Sequence, residues 1–274
     1  MGTLYIVPTP IGNLEDITLR ALRILGEVDL IAAEDTRTSR VLLDHYDIST
    51  PMLSYHEHNK IARLDSVLDT LSGGDVALIS DAGTPGVSDP GYELIGMAID
   101  AGFAVVPLPG ANAVTTALVG SGMPTDSFIY VGFLPKKDRA RRDFLESLRD
   151  EKRTIIAYEN PYRVAATLTD VAQVMGDDRP VCVAREMSKM FEEFYRETAA
   201  NAAARYRDEA PKGEITLVIG GAPNDTDNVW DEERVLAELN RRLESGEKLS
   251  RASKAIAQLS GWNKRDVYAL GVDG

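Results

Sequence analysis

Glu34-Asp35-Thr36-Arg37 sets two carboxylates beside a guanidinium, where the apolar run Val28–Ala33 gives way to a helical pattern. Carboxylates placed there can take a proton or orient a polar substrate. They can equally cap the helix, with Asp35 or Thr36 as the N-cap residue. Other charged clusters also flank apolar runs. Ala157-Tyr-Glu-Asn-Pro-Tyr-Arg163 and Ala184-Arg-Glu-Met-Ser-Lys189 each follow one, and Pro211-Lys-Gly-Glu-Ile-Thr216 precedes one. With 3 His and 1 Cys in the chain, no Ser/His/Asp or Cys/His nucleophile set stands out. His56-Glu57-His58-Asn59 lacks the i, i+4 histidine spacing of a metal-binding helix. It reads as a polar loop or a substrate contact, and no metal site is expected.

Ligand-binding signals lie in loops of small and turn-forming residues. Leu78-Ile-Ser-Asp-Ala-Gly-Thr-Pro-Gly-Val-Ser-Asp-Pro-Gly-Tyr92 runs from an apolar strand through a Gly/Pro/Asp loop into a helix. Val7-Pro-Thr-Pro-Ile-Gly-Asn-Leu14 and Pro107-Leu-Pro-Gly-Ala-Asn-Ala-Val-Thr-Thr116 have the same character. Turns use these residues for structural reasons, so one such loop says little. Several at the C-terminal ends of neighbouring strands describe a ligand crevice. No GxxxxGK[ST] or GxGxxG pattern is present, so the expected ligand is not held by phosphates.

These loops need a parallel sheet behind them. Apolar runs at Leu4–Val7, Val28–Ala33, Met52–Tyr55, Val76–Ile79 and Ala104–Pro107 alternate with helical patterns, which predicts a sheet covered on both faces. Gly120 to Asp126 reads as a linker. A second α/β unit follows, with strands at Phe128–Val131, Thr154–Tyr158, Pro180–Ala184, Glu192–Glu197 and Glu214–Ile219. The short spacing of the third and fourth of these predicts antiparallel pairing. Helices are expected at Arg139–Leu148, Tyr162–Met175 and Ala199–Arg207. After a polar break from Pro223 to Asn228, Asp231–Leu243 is an amphipathic helix. Leu249–Leu270 then reads helix–turn–helix, with Ser250 and Asn263 as caps and Gly261 closing the first helix. The resulting division is 1–122, 123–223 and 224–274, two α/β domains and a helical tail.

The net charge of −13 over 274 residues disfavours a nucleic-acid partner until its distribution is considered. Residues 1–135 hold 6 basic and 17 acidic side chains, whereas Lys136, Lys137, Arg139, Arg141 and Arg142 surround a lone acid, Asp138. The tail is also locally basic, with Arg251, Lys254, Lys264 and Arg265. Such patches matter more for polyanion contact than the total does. No apolar run reaches the roughly eighteen residues of a membrane span, and the N-terminus does not read as a signal peptide. Cys182 lies in an apolar strand and is expected to be buried. Together these features indicate a cytoplasmic protein without membrane attachment.

In their order and spacing, VPTPIGNLEDITLRAL, AAEDTR, SDAGTPGVSDPG, PLPGANAVTTAL, GFLP, YENPYR, ARE and KGE resemble the tetrapyrrole-methylase-like, or class III, S-adenosylmethionine (SAM) methyltransferases. Within that family they resemble the bacterial branch that 2′-O-methylates a cytidine in the decoding centre of 16S ribosomal RNA. The likeness spans residues 3–270. Pro8-Thr9-Pro10-Ile11-Gly12 stands where porphyrinoid methylases usually have a glycine-rich loop, which with the basic tail favours the RNA branch over a tetrapyrrole methylase, and the intact ligand loops disfavour a non-catalytic ribosome-associated protein.

The resemblance implies two α/β domains with SAM in the cleft between them, a helical C-terminal tail, a homodimer, and 16S ribosomal RNA in the small ribosomal subunit as partner. It assigns SAM contacts to Pro8, Thr9, Pro10, Asp81, Ala82, Gly83, Thr84, Pro85, Val87, Ser88, Thr115, Thr116 and Ala117. From the second domain it adds Phe133, Tyr158, Ala184 and Lys212 to Glu214, Gly213 among them. A ribose 2′-OH is a poor acid, so a base or a cation assists its attack. Asp35, Glu186 and Glu214 are the candidate bases. Arg37, Arg185, Lys189 and Lys212 are candidates to stabilise negative charge. RNA is expected along Lys136 to Arg142 and the tail, with Tyr162, Tyr55 or His56 stacking on an unpaired base.

Overall fold

The computed structural model describes residues 2–56, 60–208, 211–223 and 230–273. His58 and Asn59, and the polar break beyond Pro223 as far as Asn228, lie outside the described residues. The chain forms two compact units. One comprises Met1–Arg149 with Arg153–Gly220, the other Asp150–Lys152 with Gly221–Gly274.

The first unit begins with β1 (Thr3–Ile6), α1 (Leu19–Glu27), β2 (Leu30–Ala33), α2 (Thr36–His45), β3 (Met52–Ser54), α3 (Lys60–Leu71), β4 (Val76–Ile79), α4 (Tyr92–Asp100), β5 (Ala104–Pro107) and α5 (Ala113–Ser121). Its strands make a five-stranded sheet in the order β3-β2-β4-β1-β5, and every pairing is parallel. Strand alternation divides the apolar side chains between the faces. Ile31, Ala33, Ala77 and Ile79 pack with Leu25 of α1 and Leu43 of α2. Leu4, Ile6, Ala32, Val76 and Leu78 face the opposite way, onto Val67 and Leu71 of α3 and Leu94 of α4. The chain leaves β1 toward β2 on one face and β4 toward β5 on the other, so the connections of the two central strands cross and their loops meet at the C-terminal edge of the sheet.

Next come β6 (Phe128–Phe133), α6 (Asp138–Ser147), β7 (Thr154–Glu159), α7 (Val164–Met175), β8 (Pro180–Arg185), β9 (Glu193–Thr198), α8 (Ala199–Arg207) and β10 (Ile215–Ile219). The second sheet has the order β6-β7-β10-β8-β9. β6 and β7 are parallel, while β10 is antiparallel to both its neighbours and β8 to β9. One face carries Ile155, Val183, Leu217 and Ile219 against α7 and α8. The other places Ile156, Cys182, Ala184 and Val218 against Val114, Ala117 and Leu118 of α5. Cys182 is fully buried there, and burial pushes its thiol up to about 11, as expected of a core cysteine.

Several sequence expectations shift. α7 starts at Val164 instead of Tyr162, because the Asn160 side-chain oxygen accepts from the Tyr162 amide at 2.9 Å and holds the preceding residues in a turn. Tyr55 is wholly buried among the α3 core residues, which removes it as a surface for stacking. Arg141 leaves the exposed basic cluster as well. It is 2% exposed and donates to the buried Asp170 at 2.8 Å.

The second unit holds α9 (Glu232–Glu244), α10 (Leu249–Ser260) and α11 (Lys264–Asp273). Val235, Leu239, Ala252, Ile256 and Val267 form its own core. Gly261 closes α10 with a left-handed φ of 68°, and the Asn263 side chain accepts from the Arg265 amide at 3.0 Å. Ser250 is not the cap of α10. Lys248 stands there, so Ser250 falls inside the first turn. Arg251, Lys254, Lys264 and Arg265 are exposed.

Candidate active site

Loops from the first sheet fasten to one another before they offer anything to a ligand. The Thr9 amide donates to the Gly83 carbonyl and the Gly83 amide to that of Thr9, both at 2.9 Å. The Thr9 hydroxyl donates to the Ser80 carbonyl at 3.0 Å. Gly110 packs so closely on Pro8 that an added Cβ would come within 2.7 Å of the proline ring. Asn112 caps α5 through the Val114 amide at 2.9 Å and donates to the Thr84 hydroxyl at 3.2 Å. Thus the Pro, Gly and Thr residues of the β1, β4 and β5 loops form one rigid edge.

Ser88 joins this edge to the second sheet. It sits at φ 63°, a strained position for a residue with a side chain. Its hydroxyl is 2.6 Å from that of Tyr130. Tyr130 meets Tyr158 edge-on at 5.2 Å, and Phe133 meets Tyr158 at 5.4 Å. These rings form a wall across β6 and β7.

A charged knot forms where β8 ends and β10 begins. Glu186 adopts φ 50°, and its carboxylate accepts from the Glu214 amide and from Lys189 Nζ, each at 3.0 Å. Lys189 Nζ also lies 3.3 Å from Glu214 Oε2. Burial raises the Glu186 carboxyl, but these donors outweigh it and hold it below the usual range. Burial likewise opposes the Lys189 charge, yet the two acids raise its pKa and keep it cationic. Gly213 makes the knot possible, since a Cβ there would sit 2.2 Å from the Glu186 carboxylate. The Lys189 stem also lies against Gly12, where a Cβ would meet its Cγ at 2.5 Å.

Between these walls is a cavity of about 360 Å³, within the roughly 300–1,000 Å³ typical of small-molecule sites. The predicted residues Ala82, Gly83, Thr84, Val87, Ser88, Phe133, Tyr158, Gly213 and Glu214 line it. Pro8, Thr9, Pro10, Asp81, Pro85, Lys212, Glu186 and the pair Asp35 and Arg37 are not among the lining residues. Asp35 caps α2 through the Arg37 amide at 2.8 Å and pairs with the Arg37 guanidinium at 2.6 Å, which holds its carboxyl down to about 2. Ala117 and Ala184 are packed into the core beneath the cavity, and Thr115 and Thr116 point to solvent. Asn112 and Ala113 supply the α5 part of the wall instead.

The sequence reading passed over Ile11, Asp89, Glu159, Asn160, Pro161, Met187, Ile215 and Thr216, all of which line the cavity. All eight lie inside motifs quoted above, Ile215 and Thr216 at the end of Pro211–Thr216, so their segments carried the signal. Glu159 is fully buried and its carboxylate is committed. It accepts from the Asn160 amide at 2.6 Å, from the Thr167 hydroxyl at 2.5 Å and from Arg163 Nη2 at 2.5 Å.

The chemistry of this lining is specific. Ile11, Val87, Phe133, Met187 and Ile215 are apolar, and no Lys or Arg is among the lining residues. A phosphate would have no counter-charge there. Behind Asp89, which does line the cavity, other acids gather. The Asp35 amide donates to Asp81 at 3.0 Å, and the Asp81 amide to Glu34 at 3.3 Å. Burial raises the carboxyls of Glu34 and Asp81. Burial, with the charges of Glu34 and Asp81, pushes Asp89 up to about 6 against the pull of the Ser80 hydroxyl. A ligand carrying positive charge and a flat apolar part satisfies both sides, and SAM, with its sulfonium and adenine, meets that description. Among the described residues no group of three or more His, Cys, Asp or Glu could hold a metal ion.

Comparison with known proteins agrees with this architecture. The model of the Tetrapyrrole (Corrin/Porphyrin) Methylases matches residues 3–203. Proteins named ribosomal RNA small subunit methyltransferase I are similar along nearly their whole length. That of Synechocystis sp. is 46% identical, covering 100% of this chain and 98% of the relative. That of Haemophilus influenzae is 44% identical, covering 99% and 96%. Among solved structures, uroporphyrin-III C-methyltransferase from Thermus thermophilus aligns with a TM-score of 0.56 at 17% identity, covering 81% of this chain and 96% of that one. Cobalt precorrin-4 methyltransferase aligns with a TM-score of 0.60 at 18% identity, covering 80% and 94%.

Proposed function

Because this chain belongs to the tetrapyrrole (corrin/porphyrin) methylases, we propose that its cavity holds SAM and that it 2′-O-methylates a cytidine in the decoding centre of 16S ribosomal RNA. The observation that carries the substrate is the full-length likeness, at 44–46% identity, to relatives named for the small-subunit ribosomal RNA. The solved uroporphyrin-III and cobalt precorrin-4 methyltransferases, at 17–18% identity, share only the fold. The reading includes a homodimer acting in the cytoplasm on the small subunit. It also includes a division of labour in which residues 1–122 and 123–223 share the cofactor while 224–274 and the exposed Lys136, Lys137 and Arg139 contact RNA phosphates.

When bound, SAM supplies an electrophilic methyl group. The rigid edge from Ala82 to Ser88 and the wall of Phe133 and Tyr158 fix the cofactor, so that positioning accounts for much of the rate. Glu214 lines the cavity with an exposed carboxylate and takes the proton of the ribose 2′-OH. Lys189, anchored between Glu186 and Glu214, holds that carboxylate in place.

The reading is tested by calorimetry with SAM, then by methyl transfer to small subunits from a strain lacking the methyl group, with nucleosides identified by mass. SAM binding and 2′-O-methylcytidine are the expected results. Absence of SAM binding, or methylation of a tetrapyrrole alone, would overturn it.

A pH dependence follows from Asp89. A cationic ligand is held better by its carboxylate than by the neutral acid. The group titrates at about 6, so it is mostly charged at neutral pH and about one-tenth ionised one unit below its pKa. SAM affinity is therefore expected to weaken by up to about tenfold from pH 7 to pH 5, and Asp89→Asn should flatten the curve. An unchanged curve in the variant would remove Asp89 from cofactor binding.

A further inference from the structure

Tyr162 is 85% exposed, and the two residues before it, Asn160 and Pro161, line the cavity. A single exposed aromatic is common on protein surfaces. This one differs in how it is held. Its amide donates to the Asn160 side chain at 2.9 Å, and the Arg163 amide to the Asn160 carbonyl at 2.9 Å. Pro161 restricts the turn further. The buried Glu159 ties the Asn160 amide, Thr167 on α7 and the Arg163 guanidinium to one point. A network of this kind fixes a backbone tightly, yet what it presents is an aromatic ring in solvent.

The ring also stands at a particular corner. Glu159 pairs with Ile215 across the β7–β10 ladder. The turn that carries Tyr162 and the residue Glu214 therefore leave the second sheet side by side. A ribose placed at Glu214 stands next to this turn. A 2′-OH inside a folded RNA reaches a cavity in a protein only when its nucleotide leaves the stack, and the base then needs a new partner. Stacking on an aromatic side chain is the usual compensation.

Resting on the methyltransferase reading above, we propose that Tyr162 is the platform on which the unstacked nucleobase of the target nucleotide lies, making it a specificity-determining residue for the RNA substrate. Its ring supplies a face for the base, and the Glu159 network fixes the turn that bears it next to the start of β10.

The test compares wild type with Tyr162→Ala, Tyr162→Leu and Tyr162→Trp, using small subunits lacking the methyl group and, separately, SAM alone. Tyr162→Ala and Tyr162→Leu should raise KM for subunits about 5- to 150-fold, since stacking contributes about 1–3 kcal/mol per base. Tyr162→Trp should stay within about twofold of wild type, because any large aromatic face serves. SAM affinity should be the same in all four. Equal KM values for Ala, Leu and wild type would refute the platform, as would a loss of SAM binding matching the loss of RNA activity. A wild-type enzyme that binds SAM but leaves the subunits unmethylated would refute the substrate reading itself, and is thus told apart from a failure of Tyr162.

Discussion

Glu214→Gln is expected to slow methyl transfer by about 10²–10⁴-fold, the range of a general base, while SAM affinity stays within about twofold. Three acids were candidates on sequence grounds, and their surroundings differ. Asp35 is bound to Arg37 through both its amide and its guanidinium, so its charge is already matched and it does not line the cavity. Glu186 is turned inward by a left-handed backbone and spends its carboxylate on the Glu214 amide and Lys189. Among the described residues, Glu214 meets the Lys189 ammonium through Oε2 and is 75% exposed on the cavity wall. Gln keeps its shape and loses the basic oxygen, so the loss falls on the chemical step. Single-turnover transfer to small subunits at saturating SAM reads it directly. A normal rate in Glu214→Gln, with a collapsed rate in Asp35→Asn, would move the base to the first sheet.

The same knot shows why the sequence made parts of this site legible and hid others. Parallel strands announce themselves through short apolar runs, and the loops after β1, β4 and β5 through their Pro, Gly and Thr. Val76–Ile79 and Ala104–Pro107 have the bounds expected of them. What a linear reading misses is which face of a loop looks inward. Thr9 and Pro8 sit in the most distinctive motif, but Thr9 is spent on Gly83 and Ser80, and Pro8 packs on Gly110. Ile11, two residues on, reaches the cavity. Thr115 and Thr116 precede Ala117 on a helix whose buried stripe is Val114, Ala117 and Leu118, so helical periodicity turns them outward. Asp89 lies within the Leu78–Tyr92 loop, and burial together with the charges of Glu34 and Asp81 makes it a weaker acid than usual. Pairings between loops distant in sequence decide these cases, and no local pattern encodes them.

Charge clusters mislead for a related reason, and Arg141→Ala measures how far. The substitution is expected to cost about 3–5 kcal/mol of stability, the usual loss when one partner of a buried ion pair is removed. That corresponds to a fall in melting temperature of about 6–20 °C for a domain of this size. Arg141 is 2% exposed and Asp170 6%, with guanidinium and carboxylate at 2.6 Å. Asp138 lies 3.0 Å from the same guanidinium. Removing Arg141 leaves a buried carboxylate facing the half-exposed Arg142 at 3.3 Å. Lys136, Lys137 and Arg139 are exposed, so alanine at those three should leave stability nearly unchanged and reduce the salt dependence of RNA binding. The double substitution Arg141→Met with Asp170→Leu should recover most of the lost stability, because an apolar pair of similar volume often replaces a buried ion pair at little cost. Thermal unfolding of the single, triple and double variants separates the two halves of the cluster. A stable Arg141→Ala protein with weakened RNA binding would return Arg141 to the RNA surface, whereas an unstable one shows that this part of the basic run holds α6 to α7.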